Sequence, residues 1–167
     1  MKPLVTHDRL KELLSYDPET GIFTWKVTRG WVKAGDEAGS VFNNDYVRIG
    51  IDEKFYKRSR LAWFYVHGVW PKELIDHKNG VKSDDRLSNL REATKAENNR
   101  NAQRFKKNAT GLRGVHWRKN IGRWEARIRN GNGNIYLGYF QTKEEAHKAY
   151  CEASAKLHGE FSCLNRL

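Results

Sequence analysis

Hydrophobic and polar positions change period several times along the 167 residues, and each change predicts an element. From Thr6, the residues Leu10, Leu13 and Leu14 fall on one side of a short helix, which the turn-forming residues 15–21 bring to an end. Residues 22–27 (Ile-Phe-Thr-Trp-Lys-Val) are aromatic and β-branched and predict a strand. A looser glycine-rich stretch follows. Residues 46–51 then alternate as a second strand, and Lys54-Phe55-Tyr56 predicts a third beyond an Asp-Glu turn. Residues 60–67 (Arg-Leu-Ala-Trp-Phe-Tyr-Val-His) predict a helix dense in large apolar groups, packed on that sheet and supporting the next strand, with His67 as a helix-end residue. Leu74 and Ile75 lead as a strand into Asp76-His77-Lys78-Asn79-Gly80. A polar loop over residues 79–86 returns through a strand holding Leu87, Asn89 and Leu90. Thr94 to Glu97 has capping-box spacing, which puts Asn98 in the first turn of a helix.

The carboxy-terminal third is more regular. Residues 113–118 predict a strand, and residues 123–129 alternate strictly, with Trp124, Ala126 and Ile128 on one face and three arginines with Glu125 on the other. A turn over residues 130–134 leads to a third strand over residues 135–140. Thr142 to Glu145 is a second capping box, followed by Ala146, Ala149, Tyr150, Ala153 and Leu157 at helical spacing and Gly159 as the stop. That helix is expected to cover the Trp124 face and leave the arginine face in solvent.

Charge narrows the partner. The net charge of +11 and the sequence pI near 9.7 suit a polyanion and argue against an acidic-tail or chaperone role. The surplus is uneven: residues 1–94 hold 16 Lys+Arg against 14 Asp+Glu, residues 95–108 hold 5 against 1, and residues 109–167 hold 10 against 5. Residues 98–108 are polar and basic without apolar periodicity, which predicts a linker that follows a phosphate backbone through Arg104, Lys106 and Lys107. Cys151 and Cys163 lack CxxC spacing, which predicts reduced thiols in a cytoplasmic protein and excludes a Cys-rich zinc site. No apolar signal core stands at the amino terminus and no apolar run spans a bilayer, so no membrane partner is expected.

Asp76 and His77 bring the chemistry. A carboxylate beside an imidazole, followed by Asn89 and then Asn98 at a helix start, resembles the ββα-metal motif of HNH endonucleases, in the branch found among phage and intron-type homing enzymes. The resemblance implies His77 as general base, Asn89 as the residue that orients it, and Asp76 with Asn98 as ligands of one divalent ion, Mg²⁺ with Mn²⁺ as the alternative. Asn98 places the chain in the Asn-ending subgroup, and Ser59 stands where many relatives have histidine. Physical chemistry agrees with these roles: a hard ion held by one carboxylate and one amide oxygen keeps room for a phosphate, and imidazole titrates near neutrality. The plainer alternative is a polar hairpin turn.

The carboxy-terminal third resembles an AP2/ERF domain in Gly-Val-His-Trp, Gly-Arg-Trp-Glu-Ala-Arg-Ile, Tyr-Leu-Gly-Tyr-Phe, Glu-Glu-Ala-x-x-Ala-Tyr and Leu-His-Gly. In such domains the sheet enters the major groove, which implies DNA contacts by Arg113, His116, Arg118, Arg123, Arg127, Arg129 and Tyr136. His116 and Arg127 replace residues that are commonly arginine and glutamate in plant members, so the base preference of those members is not carried over.

The expected fold class is α+β: an HNH ββα-metal unit with an amino-terminal small sheet, then a three-stranded antiparallel sheet packed on one helix. The expected division is a nuclease domain over residues 1–97 with its helix continuing to about residue 104, a basic linker over 98–110, and an AP2-like domain over 111–167. The expected function is metal-dependent hydrolysis of double-stranded DNA by a homing-type endonuclease, with nicking and double-strand cleavage both open. The rivals are a non-catalytic DNA-binding regulator with a vestigial HNH segment and an RNA-binding or structural protein. The sequence assigns no oligomeric state.

Overall fold

A computed structural model describes residues 4–43, 45–101, 110–131 and 133–162. It divides into two units, Met1–Ala96 and Glu97–Leu167.

In the first unit the Thr6 side chain accepts the Arg9 backbone N–H and caps α1 (His7–Leu13), which buries Leu10 and Leu13. Leu14 opens β1 (Leu14–Asp17), antiparallel to β2 (Ile22–Trp25). The sequence predicts a turn from Ser15 onward, but Leu14 and Tyr16 are buried at period two, so the chain stays extended to Asp17. The turn closes at Gly21, whose N–H donates to Asp17 O at 2.8 Å. Gly21 has φ +75, and a Cβ there would meet the Asp85–Arg86 backbone at 2.4 Å. Tyr16 donates its hydroxyl to Asp85 O at 2.8 Å, so this hairpin braces the loop after His77.

The second sheet has the order β3–β4–β5, all antiparallel: β3 (Ser40–Phe42), β4 (Tyr46–Ile51) and β5 (Lys54–Lys57). Val47, Ile49, Ile51 and Tyr56 point into the core. β3 falls in the stretch read as loose; only three residues long, it owes its strand geometry to pairing with β4, which local propensity does not encode. α2 (Arg58–His67) starts two residues earlier than expected, directly after β5, and brings Arg58 and Ser59 into the interior. It ends at Gly68 in the left-handed region, whose N–H donates to Phe64 O. Leu10, Leu14, Phe23, Ile49, Ile51 and Leu61 are fully buried at the centre of this unit.

β6 (Leu74–His77) and β7 (Leu90–Ala93) form an antiparallel pair with Asp76 opposite Arg91 and His77 opposite Leu90. Asp76 and His77 therefore lie within the strand itself. The returning strand starts later than expected, because Leu87–Asn89 form a 3₁₀ turn and pairing begins at Leu90. α3 (Lys95–Asn101) follows.

The second unit has the order β10–β9–β8, built from β8 (Val115–Arg118), β9 (Arg123–Asn130) and β10 (Gly133–Phe140). α4 (Lys143–His158) packs on the Val115, Ala126 face with Ala146 and Ala149, as the alternation in β9 predicts. Both halves of the Thr142–Glu145 capping box form, and Gly159 ends the helix with φ 49. Gly114 is fixed by close approach, since a Cβ there would meet the Tyr150 ring at 2.1 Å. The architecture is α+β throughout. Among the described residues no helix is long and apolar enough to cross a membrane.

Candidate active site and nucleic-acid face

β6 carries Asp76 and His77 out of the first core with both side chains buried. His77 Nε2 is 2.8 Å from Asp85 Oδ1, and the other Asp85 oxygen accepts Arg58 Nε–H at 2.7 Å. Arg58 also donates to Glu37 at 3.0 Å and to Ser83 O at 2.8 Å. The chain Glu37–Arg58–Asp85–His77 thus runs from the surface to the imidazole. Asp85 is 1% exposed, and an unpaired carboxylate so deep would cost several kcal/mol by desolvation, roughly, so the guanidinium is what allows it there.

Asp76 accepts two hydrogen bonds on Oδ2, from Arg91 Nε–H at 2.9 Å and from a terminal Arg91 N–H at 2.8 Å. The two residues face each other across the β6–β7 ladder. Both side-chain bonds of Asn89 go to the loop: Oδ1 accepts Asn79 N–H at 3.0 Å and Nδ2 donates to Asp84 O at 2.7 Å. Asn89 therefore ties the loop's two ends together, while the residue bonded to His77 Nε2 is Asp85. Asp84 in turn accepts Arg86 and Asn79 side-chain donors, and the Arg86 bond is the main reason its carboxyl is pushed down to about 2. The Tyr46 ring lies 6.1 Å from the His77 ring, with Lys57 Nζ 4.4 Å and Lys82 Nζ 5.1 Å from the tyrosine centroid. Burial pushes the Tyr46 hydroxyl up, and the charges of Asp76 and Asp85 push it further.

Among the described residues no group of three His, Cys, Asp or Glu side chains could hold a metal ion. The set that the motif implies is smaller, one Asp76 oxygen and the Asn98 amide oxygen, and Asn98 is half-buried on α3. A buried carboxylate whose orientation an arginine fixes suits a hard divalent ion that keeps most of its water, so the donor chemistry fits. Arg58, Asp85, Arg91 and Tyr46 are the site residues that sequence reasoning misses. Their signal is long-range pairing, which no local pattern carries.

In the second unit the outer sheet face carries His116 and Arg118 from β8 and Arg123, Glu125, Arg127 and Arg129 from β9. Glu125 is 1% exposed and bonds both Arg118 Nε and Arg127 Nε, so two of the predicted arginines are held by a carboxylate beneath them. Tyr136 stands opposite Arg127, and a bulge between Tyr136 and Gly138 turns Tyr139 onto the same face, its ring 5.2 Å from that of Tyr136. Tyr139 was not anticipated, because strict alternation would put it on the helix side. His116, Arg123 and Arg129 are exposed. Arg113 lies before β8 and donates to Arg100 O at 2.6 Å and Asn99 O at 3.3 Å, so it holds the end of α3. Arg104, Lys106 and Lys107 lie outside the described residues.

Family models match residues 56–100 as HNH endonuclease and residues 110–160 as AP2 domain. Protein 3.8 of Escherichia phage T7 is 36% identical over 114 residues, which are 66% of this chain and 93% of that protein. The chain belongs to the phage HNH endonuclease family and carries an AP2 domain. HNH domains generally use a divalent metal ion. The AP2 domain also relates the chain to plant proteins. The AP2-like ethylene-responsive transcription factor ANT of Arabidopsis thaliana is 37% identical over 98 residues, 58% of this chain and 16% of that protein. CRL5 of Oryza sativa subsp. japonica, another AP2-like ethylene-responsive transcription factor, is 41% identical over 68 residues, 40% of this chain and 11% of that protein. The chain spans about a sixth or less of the length of these plant relatives.

Proposed function

We propose that this protein is a metal-dependent, homing-type endonuclease that hydrolyses phosphodiester bonds of double-stranded DNA in the host cytoplasm. In this reading residues 1–97, with the helix that continues from them to about residue 104, carry the chemistry, the basic segment 98–110 links, and residues 111–167 hold the duplex. The observation that supports it most is the buried Asp76–His77 pair on β6 inside the HNH match, each side chain fixed by its own partner.

His77 takes the proton from the attacking water. Asn89 orients it by keeping the loop in place around it. Asp76 and Asn98 hold the divalent ion, Mg²⁺ or Mn²⁺, whose charge stabilises the leaving oxygen when it is bound. On the AP2 domain, Arg118, Arg123, Arg127, Arg129, His116 and Tyr136 face the groove, and Arg104, Lys106 and Lys107 follow the phosphates. Arg113 joins this set of DNA contacts in this reading, while it also donates to the Arg100 and Asn99 carbonyls.

The test is incubation of the full chain with supercoiled plasmid, with Mg²⁺ and with chelator. Relaxed or linear product in Mg²⁺ and intact plasmid in chelator are expected. Plasmid that is bound yet uncut in Mg²⁺ and in Mn²⁺ would favour the second reading, a DNA-binding regulator, toward which the likeness to plant transcription factors points.

A further inference from the structure

Nothing in the HNH motif assigns a task to Asp85, a carboxylate that sits between an arginine and the imidazole with essentially no solvent exposure. We propose that Asp85 is a positioning residue that fixes the tautomer of His77, with the proton on Nε2 and the lone pair on Nδ1, and that Arg58 fixes Asp85 for this purpose. The inference rests on the reading of His77 as general base, but concerns a property of the ring that exists without DNA or metal.

The argument runs through donors and acceptors. An ionised carboxylate only accepts, so a neutral imidazole 2.8 Å from Asp85 Oδ1 must bring N–H to that contact, and its other nitrogen then carries the lone pair that receives a proton. Arg58 has only donors and places Nε–H 2.7 Å from Oδ2. Further Arg58 bonds to Glu37 and to Ser83 O stop the guanidinium from turning. The Tyr16 hydroxyl on Asp85 O and the close contact of Gly21 with the Asp85–Arg86 backbone hold the main chain of the same residue. Asp85 is thus fixed at its backbone and at both oxygens.

This arrangement makes an unusual demand on the isosteric change Asp85→Asn. Arg58 still requires an acceptor, so the new amide must point its oxygen at Arg58 and its NH₂ at His77. Nε2 then has to accept, and the ring proton moves to Nδ1. A substitution that keeps shape and packing inverts the tautomer, and the lone pair leaves the nitrogen that the water needs.

The decisive measurement is ¹⁵N NMR of the full chain carrying ¹⁵N-labelled histidine, at alkaline pH where the ring is neutral, with the His77 signals assigned by their loss in His77→Ala. Wild type is expected to show a protonated Nε2 and an unprotonated Nδ1, and Asp85→Asn the reverse. Cleavage by Asp85→Asn should fall roughly 10²- to 10⁴-fold in kcat with KM for duplex unchanged, since the base works on water and leaves binding alone. Adding Arg58→Met to Asp85→Asn lets the amide turn over, which should restore the Nε2–H pattern and part of the rate. Should the double variant not fold, the single variant carries the test. A proton on Nδ1 in wild type, or an unchanged pattern in Asp85→Asn, overturns the inference while the nuclease reading stands. If wild type cuts no plasmid, the nuclease reading falls and the ring-nitrogen pattern still decides the role of Asp85.

Discussion

The two units use the same pair of side chains, arginine with a buried carboxylate, for opposite purposes. In the HNH unit Asp76 and Asp85 each meet an arginine that is itself buried, Arg91 at 8% and Arg58 at 6% exposure. Charge cancels inside the protein and what remains is direction. Ion pairs so deep add little net stability, because desolvation consumes most of the Coulomb gain, so what they contribute here is a fixed carboxylate orientation, which the proposed roles of Asp85 and Asp76 require. In the AP2 unit one buried carboxylate, Glu125, serves two arginines whose side chains stay 37% and 39% exposed. One negative charge against two positive ones leaves a net cation on the surface, and both guanidiniums are held in place. Burial pushes the Glu125 carboxyl up, but Arg118 and Arg127 outweigh it and keep it below its ordinary range. Arginine burial thus distinguishes a pair held inside the fold from one that presents a surface.

The largest effect tests the inward half of this comparison. His77→Ala should slow cleavage by roughly 10²- to 10⁴-fold with duplex affinity nearly unchanged. Single-turnover cleavage and a binding isotherm on the same preparation check both parts. Activity within a few-fold of wild type would remove His77 from the reaction.

The outward half is tested next. Arg127→Ala should reduce sequence preference by about 1–3 kcal/mol if the fork reads a base edge. Glu125→Gln should keep overall affinity but blur that preference, because it releases the carboxylate grip on both arginines. Competition between specific and scrambled duplexes at several salt concentrations separates the cases. Equal weakening on every sequence with a shallower salt dependence would make Arg127 a phosphate contact.

The same contrast explains how much could be read beforehand. The strict alternation of β9, the Thr142–Glu145 box and Gly159 are local patterns, so the AP2 sheet, its helix and its outer arginines were legible. So was the Asp76, His77, Asn89, Asn98 sequence, although their functional roles rest on the family likeness. Arg58 and Asp85 stand 27 residues apart and meet only because α2 begins at Arg58 and the β1–β2 hairpin presses Gly21 and Tyr16 against the loop. β3 depends on a partner strand, and the place of Tyr139 depends on a bulge. Each of these is a tertiary fact with no periodic trace in the chain.

The smallest effect concerns the loop itself. Arg86 donates to Asp84, and with Asn79 it holds the Asp84 carboxyl at about 2, below its ordinary range near 4, roughly. A carboxylate depressed in the fold stabilises it fully above the unfolded value, and that contribution is lost as pH falls through the folded one. Asp84→Asn should therefore lower the melting temperature slightly near pH 7, with the gap to wild type closing as pH drops from about 4 to about 2. The Arg86 side chain is 49% exposed, so salt should shrink the gap as well. Because Asn89 donates to the Asp84 backbone carbonyl, which the substitution keeps, the loop should stay closed and cleavage near pH 7 should be unaffected. Melting curves over that pH range at low and high salt check the first part. A gap that persists near pH 2 would mean that Asp84 acts through packing and not through charge.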